Sequence, residues 1–130
     1  MSELTVDIVT PEKVVFSGPA REVRAPGIGG EFGILPGHTI FLSLLRPGVA
    51  VIDGPTGSKS FLVGKGFAEA GPDKVVLLAE VAEPVSAIDR DAAEAARKDA
   101  DAALEKLKPD SPEAALARDA LALAQARLDA

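Results

Sequence analysis

Few side chains here are equipped for covalent or acid–base chemistry. His38 is the single imidazole, and its candidate hydroxyl partners Ser43, Ser58 and Ser60 do not stand at nucleophile-elbow spacing. His38 follows a Pro-Gly turn, which suits a surface contact better than a general base. Glu31 is one carboxylate in a glycine-rich stretch, with no second acid placed to divide donor and acceptor roles. Asp89 and Asp91 lack the third ligand and the glycine of a calcium loop. With no cysteine, disulfides and thiolate zinc sites are excluded. Three glycine motifs imitate nucleotide loops and fail on one residue each. Gly27-Ile28-Gly29-Gly30-Glu31-Phe32 has Phe32 where a dinucleotide fingerprint needs its third glycine, and no helix pattern follows. Gly57-Ser58-Lys59-Ser60 separates lysine from glycine, and Gly64-Lys65-Gly66 puts glycine where magnesium needs a hydroxyl. These residues point away from an enzyme and from a metal site, and towards a surface that binds.

That surface must be held by the segment Ala25–Gly48, which carries half of the chain's 12 glycines, three prolines and His38. Glycine opens positive φ and close backbone approach, while proline fixes φ and removes a donor. Interrupted by apolar pairs such as Ile34-Leu35 and Phe41-Leu42, the segment reads as short strands joined by specified turns. The flanking sequence is of the same kind. Leu4, Val6 and Ile8 alternate with Thr5 and Asp7 in a half-buried strand ended by Thr10-Pro11. Strands follow at Lys13–Phe16, closed by Ser17-Gly18-Pro19, and at Arg21–Ala25. Gly48–Asp53 and Ser58–Val63 flank the turn Gly54-Pro55-Thr56-Gly57, and Gly66–Ala70 and Lys74–Glu80 flank Gly71-Pro72-Asp73. Turn signals at this spacing with period-2 strands predict an all-β sandwich or barrel.

A compositional break follows. Every glycine lies at or before Gly71 and every phenylalanine at or before Phe67, whereas 16 of the 44 residues from Ala87 to Ala130 are alanine. Charge does not mark the break, since residues 1–87 and 88–130 each carry 10 acids and 7 bases. Backbone preference changes instead, from turn-rich β to strong helix formers. The expected division is a β-sandwich domain over residues 1–86 and a helical hairpin over residues 87–130. Asp89 caps a first helix from Arg90 to about Leu107, and Ser111 with Pro112 at the first helical position starts a second. Ala93, Ala96, Ala100, Ala103 and Leu107 line one face of the first. Leu116, Ala120, Leu123, Ala124 and Leu128 form a stripe on the second, with Leu121 at its edge. The short connection makes the helices antiparallel neighbours.

Alanine sets the mechanics of that pair. A buried methyl contributes roughly 0.8 kcal/mol, against about 1.5–3 for a leucine side chain. Alanine is also the best intrinsic helix former, so each helix should persist after its partner lets go. This suits an element that opens and docks elsewhere; a static, close-packed hairpin is the alternative. The bulk numbers add limits. With 47% hydrophobic residues the chain is expected to fold, and a net charge of −6 disfavours nucleic-acid backbones. The start MSELTVDIVTPE has no apolar core of a secretory signal, and no apolar run of 18 residues exists. A soluble, intracellular protein is the expectation.

Several segments carry a family resemblance. Leu4-Thr5-Val6-Asp7-Ile8-Val9-Thr10-Pro11-Glu12, Val15-Phe16-Ser17-Gly18, Leu44-Leu45-Arg46-Pro47-Gly48 and Gly66-Phe67-Ala68-Glu69 occur in the family's order. The most specific is Gly30-Glu31-Phe32-Gly33-Ile34-Leu35-Pro36-Gly37-His38-Thr39. From end to end the chain resembles the epsilon subunit of bacterial and plastid F-type ATP synthases. The resemblance implies a sandwich of about ten strands followed by a two-helix hairpin, in a non-catalytic subunit of the central stalk, or rotor. It implies binding to the gamma subunit and to the polar loops of the c-ring, coupling rotation to proton transport and ATP synthesis. It places the subunit peripherally on the cytoplasmic face of the bacterial inner membrane, without insertion into the bilayer. The ring-facing loop falls on Glu31 and His38. The C-terminal helices are implied to extend along gamma into the alpha/beta catalytic head and restrain ATP hydrolysis. At about 1.5 Å per residue a merged helix of roughly 40 residues would span about 60 Å.

Some members of the family bind ATP through an Ile/Leu-Asp-x-x-Arg-Ala motif that opens the first helix. Here Ile88-Asp89-Arg90-Asp91-Ala92-Ala93 keeps Ile88 and Asp89, but Ala92 replaces the arginine. Arg90 lies two residues earlier, about 200° around the helix, and points elsewhere. Arg97, Arg118 and Arg127 remain as phosphate partners for this alternative, an ATP-sensing module whose hairpin closes over nucleotide. The competing role for Asp89 is a helix cap. No cofactor is expected beyond that regulatory ATP.

Overall fold

The computed structural model describes residues 3–130 and contains ten strands followed by two helices. The strands are β1 (Leu4–Val9), β2 (Val14–Ala20), β3 (Glu22–Gly27), β4 (Gly30–Ile34), β5 (Phe41–Leu45), β6 (Gly48–Gly54), β7 (Gly57–Val63), β8 (Gly66–Ala70), β9 (Lys74–Ala79) and β10 (Ala82–Pro84). Their hydrogen-bonded order is β10-β7-β6-β3-β5-β8-β9-β1-β2, with β4 pairing β3 from off this path. Among the described residues only β1 and β9 pair in parallel. The path curls until its two ends meet. Phe16 of β2 reaches Phe61 of β7 with ring centroids 5.5 Å apart, and the Arg21 N–H donates to the Asp53 carbonyl. The all-β sandwich expected from alternation is therefore present, and nearly closed into a barrel.

Alternation decides what lies inside. Leu4, Val6 and Ile8 of β1, Val23 and Ala25 of β3, Ile52 of β6 and Val75 and Leu77 of β9 are buried in one apolar cluster. Partly buried Val15, Phe16, Phe32 and Phe41 close its margins. No polar or charged residue is buried among the described residues. One strand runs further than its turn residues suggest: β2 continues through Ser17-Gly18-Pro19 to Ala20. It ends the hydrogen-bonded path and pairs only with β1, so proline's missing N–H costs no ladder bond there.

After β10 a short 3-10 turn (Val85–Ala87) leads into α1 (Arg90–Lys106) and α2 (Pro112–Asp129). Both helix starts follow the expected chemistry. Asp89 Oδ1 accepts from the Ala92 N–H at 3.0 Å, and Ser111 Oγ accepts from the Ala114 N–H at 3.1 Å. The packed faces differ in part from the expected stripes. Ala93, Ala100, Ala114 and Ala124 are buried, but Ala96 is exposed, as are Ala120 and Leu116, the last by 70%. On α2 the inward positions are Ala114, Ala117, Leu121, Ala124 and Leu128, a 3-4-3-4 spacing shifted around the helix from the expected one. The two apolar sets on α2 are nearly equal, so apolar content alone could not choose between them. Seating against α1 and β6 chooses the smaller side chains.

Candidate functional site

The sandwich offers two outer faces, and the chain covers one of them itself. α2 lies against β6. Leu62 is fully buried although its neighbours Phe61 and Val63 are the ones that point into the core. Its cover therefore comes from outside, where α2 sits. Ion pairs edge this seat: Lys65 Nζ to Asp119 Oδ2 at 2.7 Å, and Arg127 Nε to Glu83 Oε1 at 2.9 Å.

The face formed by β5, β8, β9 and β1 is left open, and it is apolar. Leu44 stands opposite Phe67, Phe67 opposite Leu78, and Leu78 opposite Val9, a continuous row across four strands. The next row is mixed: Leu42, Glu69, Val76 and Asp7, with Lys74 Nζ 3.8 Å from Asp7. Leu42 and Leu44 are 69% and 58% exposed, and Ile28 at the β3–β4 turn is 67% exposed. Shallow hollows run along this face. One of about 490 Å³ is lined by Ile28, Leu44, Phe67, Lys65 and Glu80. A folded protein rarely leaves so much contiguous apolar surface in water unless a partner covers it. Sequence reasoning missed this face, yet it left a signal. β5 (FLSLL) and β9 (KVVLLA) are apolar on both sides, the pattern of strands buried on both faces.

The turns around β4 present the two residues singled out for a ring contact. Glu31 is exposed beside the Gly27–Gly30 turn, which is pinned from below: Arg46 Nε donates to the Gly27 carbonyl at 3.0 Å, and the Ile28 N–H donates to the Leu44 carbonyl at 3.0 Å. His38 closes the turn Leu35-Pro36-Gly37-His38, in which its N–H donates to the Leu35 carbonyl at 3.2 Å. Proline at the second place and Gly37 at φ +87 in the third make this a type II turn. The Gly37 N–H donates to the Pro72 carbonyl at 2.7 Å, so the loop is tied to the β8–β9 turn. His38 Nδ1 donates to the Thr39 carbonyl at 2.7 Å, and Nε2 has no protein partner among the described residues. Its ring meets Phe41 edge-on at 5.6 Å, and Phe41 meets Phe32 at 5.1 Å. Glu31 and His38 thus leave opposite ends of β4, with about 10 Å of strand between them. Neither has a catalytic neighbour: among the described residues His38 bonds to no serine or acid.

The five residues considered for nucleotide are spread along the hairpin. Asp89 is occupied as the α1 cap, beside Ile88. Arg127, at the far end of α2, pairs with Glu83 near that cap. Arg97 is held between Glu94 and Asp101 on its own helix, which keeps its guanidinium above and the Glu94 carboxyl below their ordinary values. Arg118 donates to the Pro109 carbonyl at 2.9 Å, at the opposite end of the hairpin. About nine residues of helix, roughly 13 Å, separate it from Arg127. The structure thus sets the Arg127 carbonyl beside the start of α1, where Ile88 and Asp89 lie, turns the Arg127 side chain to Glu83, and leaves Arg97 and Arg118 apart on their own helices. Among the described residues no cluster of histidines and acids is placed to hold a metal ion. No helix among them is long and apolar enough to cross a membrane.

Comparison with known proteins bears on the family and the fold. Residues 3–85 match the family described as ATP synthase, Delta/Epsilon chain, beta-sandwich domain. The chain is 47% identical over 113 residues to the ATP synthase epsilon chain of Myxococcus xanthus, covering 87% of this chain and 81% of that one. It is 49% identical over 104 residues to the epsilon chain of Desulfosudis oleivorans, covering 78% and 77%. Its fold superposes on a chain of the Euglena gracilis mitochondrial ATP synthase (OSCP/F1/c-ring) with a TM-score of 0.82 at 20% identity, covering 97% and 79%. A chain of the Tetrahymena thermophila mitochondrial ATP synthase central stalk and c-ring gives a TM-score of 0.57 at 15% identity, covering 96% of each. A turn-locked sandwich with one open apolar face, an alanine-seamed hairpin and this level of identity across most of the chain lead to one conclusion: the protein belongs to the ATP synthase epsilon-chain family.

Proposed function

We propose that this protein is the non-catalytic rotor subunit of an F-type ATP synthase and that the open apolar face of its sandwich is where the gamma subunit docks. The observation that carries the reading is the row Leu44–Phe67–Leu78–Val9, left uncovered while the face at β6 is covered by the chain's own helix. A stalk subunit must not slip under torque, and a flat apolar row on a hydrogen-bonded sheet yields little. The c-ring is then met by β4, which pairs with β3 alone. Glu31 would touch it from one end of that strand and His38 from the other. In this reading the subunit sits peripherally at the cytoplasmic face of the bacterial inner membrane, and its hairpin, once released, restrains hydrolysis in the alpha/beta head.

Binding to purified gamma tests the proposal. Phe67 packs on the outside of the sheet, so Phe67→Asp should leave the melting temperature within a few degrees of the parent. A charge in the centre of the docked face should cost about 3 kcal/mol, over a hundredfold in affinity. Failure of the parent chain to bind gamma at micromolar concentration would overturn the assignment. Undiminished binding by Phe67→Asp would move the docking face elsewhere.

A further inference from the structure

Arg90 occupies the first position of α1, where the helix's own unsatisfied N–H groups disfavour a cation. It makes no ion pair with any aspartate or glutamate side chain among the described residues. All three of its hydrogen bonds cross to the last turn of α2 and the residue after it. Nη1 donates to the backbone oxygens of Arg127 at 3.3 Å and Leu128 at 3.0 Å, and Nη2 donates to that of Ala130 at 2.6 Å. These oxygens lie along the last turn of α2 and just past it, beside the start of α1. The planar guanidinium serves several of them at once, which a lysine ammonium on a flexible stem would do less well. Its contribution thus has opposite signs in two arrangements: unfavourable to α1 alone, favourable when α2 lies antiparallel beside it.

We propose that Arg90 is the catch that closes the hairpin, holding the end of α2 to the start of α1 through backbone oxygens and without any ligand. Arg127 joins this catch to the sandwich. Its carbonyl accepts from Arg90 while its side chain pairs with Glu83 of β10. One residue of α2 therefore ties together α1, α2 and the sheet. The seam between the helices is alanine, with Ala93, Ala100, Ala114 and Ala124 its buried members, so a few polar contacts at its open end weigh heavily in whether it stays shut.

The chain has no cysteine, so a single introduced thiol reports opening without background. Ala124 is 1% exposed in the seam, and Ala124→Cys reacts with a small thiol reagent only when the hairpin opens. Combining it with Arg90→Gln should raise the labelling rate about tenfold, the open population then being larger by that factor. Ala93→Cys, on the facing helix, gives an independent reporter if a sulfur at position 124 disturbs packing. A thiol in the sandwich core, Ala20→Cys, should label at the same rate with and without the Arg90→Gln substitution. Unchanged labelling at both hairpin sites would overturn the proposal. So would an equal acceleration at Ala20→Cys, which would mean general loosening rather than an opened hairpin.

Discussion

Gly66 is where the stiffness of the sandwich can be tested most sharply. It pairs with Ala79 across β8–β9 and with Leu45 across β5–β8, so both of its neighbours are backbone. A Cβ at this position would fall inside the van der Waals envelope of the Leu78 carbonyl oxygen, 2.8 Å from the carbonyl carbon and 2.9 Å from Ala79 Cα. No rotamer relieves such a clash, because nothing in the way is a side chain. β8 and β9 would have to part by about 1 Å, a gap that already forfeits a quarter to a half of each dispersion contact. β9 is also bonded to β1 on its other edge, so it cannot retreat without loosening that ladder.

The cost of Gly66→Ala can be worked from these parts. Losing two or three ladder hydrogen bonds at about 1 kcal/mol each, plus packing above Leu77 and Ala79, gives about 3–5 kcal/mol. Domains of this size are stable by roughly 5–15 kcal/mol, and near the transition each kcal/mol is about 4 °C. Thermal unfolding followed by the β-sheet circular dichroism signal should therefore fall by roughly 12–20 °C. Gly71→Ala serves as the control, since a Cβ there meets nothing within 4 Å. Its melting temperature should stay within about 2 °C, a change of roughly 0.5 kcal/mol at most. A Gly66→Ala protein that melts like Gly71→Ala would refute the claim that β8 and β9 cannot yield.

Other perturbations test the hairpin. Ala124→Leu should overpack the seam by about 1–3 kcal/mol and speed proteolysis between the helices, whereas Ala96→Leu, on an exposed face, should leave the cleavage rate unchanged. pH should act on the two helices in defined senses. The Glu94 carboxyl is held below its ordinary value by the hydrogen bond from Arg97, so its contribution is present above the unfolded value and lost as pH falls through the folded one. The Lys65 ammonium is held above its ordinary value by its hydrogen bond to Asp119, so its contribution is present at neutral pH and lost as pH rises past the lysine range. Proteolysis of α2 against pH should be flat through neutrality and rise at the alkaline extreme, as the Lys65 tie is lost; a step near pH 6–7, the histidine range, would contradict this. Because Arg90, Arg97, Arg118 and Arg127 are all engaged within the chain, millimolar ATP should leave the melting temperature unchanged. Binding at a hundredfold excess over Kd would add about 2.7 kcal/mol, roughly 10 °C, and would show that these contacts give way to nucleotide.

Much of the fold was legible because its signals are local. Alternation in β1, the Pro-Thr turn between β6 and β7, and the caps Asp89 and Ser111 each depend on a handful of adjacent residues, and the structure uses them as read. The α2 face was not legible, since two stripes of similar apolarity compete and only the seat on β6 selects Leu121 over Leu116. The open face on β5, β8, β9 and β1 lies between these cases. Each strand shows apolar residues on both sides, but whether the second side is covered from within or from outside depends on the order of strands, which pairs β9 with the distant β1. The contacts of Arg90 could not be read at all. They join residues far apart in the chain and depend on how α2 lies beside α1.

The two parts of the molecule are held by different kinds of force. The sandwich rests on a continuous ladder and a core of branched side chains, so its failure is cooperative and costly. The hairpin rests on alanine methyl groups worth roughly 0.8 kcal/mol each, on Leu121 and Leu128 half-buried beside them, and on ties gathered at two places along α2: Asp119 to Lys65 at one, Arg90, Arg127 and Glu83 at the other. Exposed ion pairs contribute about 0–1 kcal/mol apiece, so no single tie is strong. Their placement matters more than their strength, because the two sets anchor the same helix at separate points on one sheet. Losing either lets α2 pivot on the other and strips the alanine seam from one end. A partner that competes for a single anchor would therefore begin the release of α2 from one end, while the ladder and core of the sandwich keep their shape.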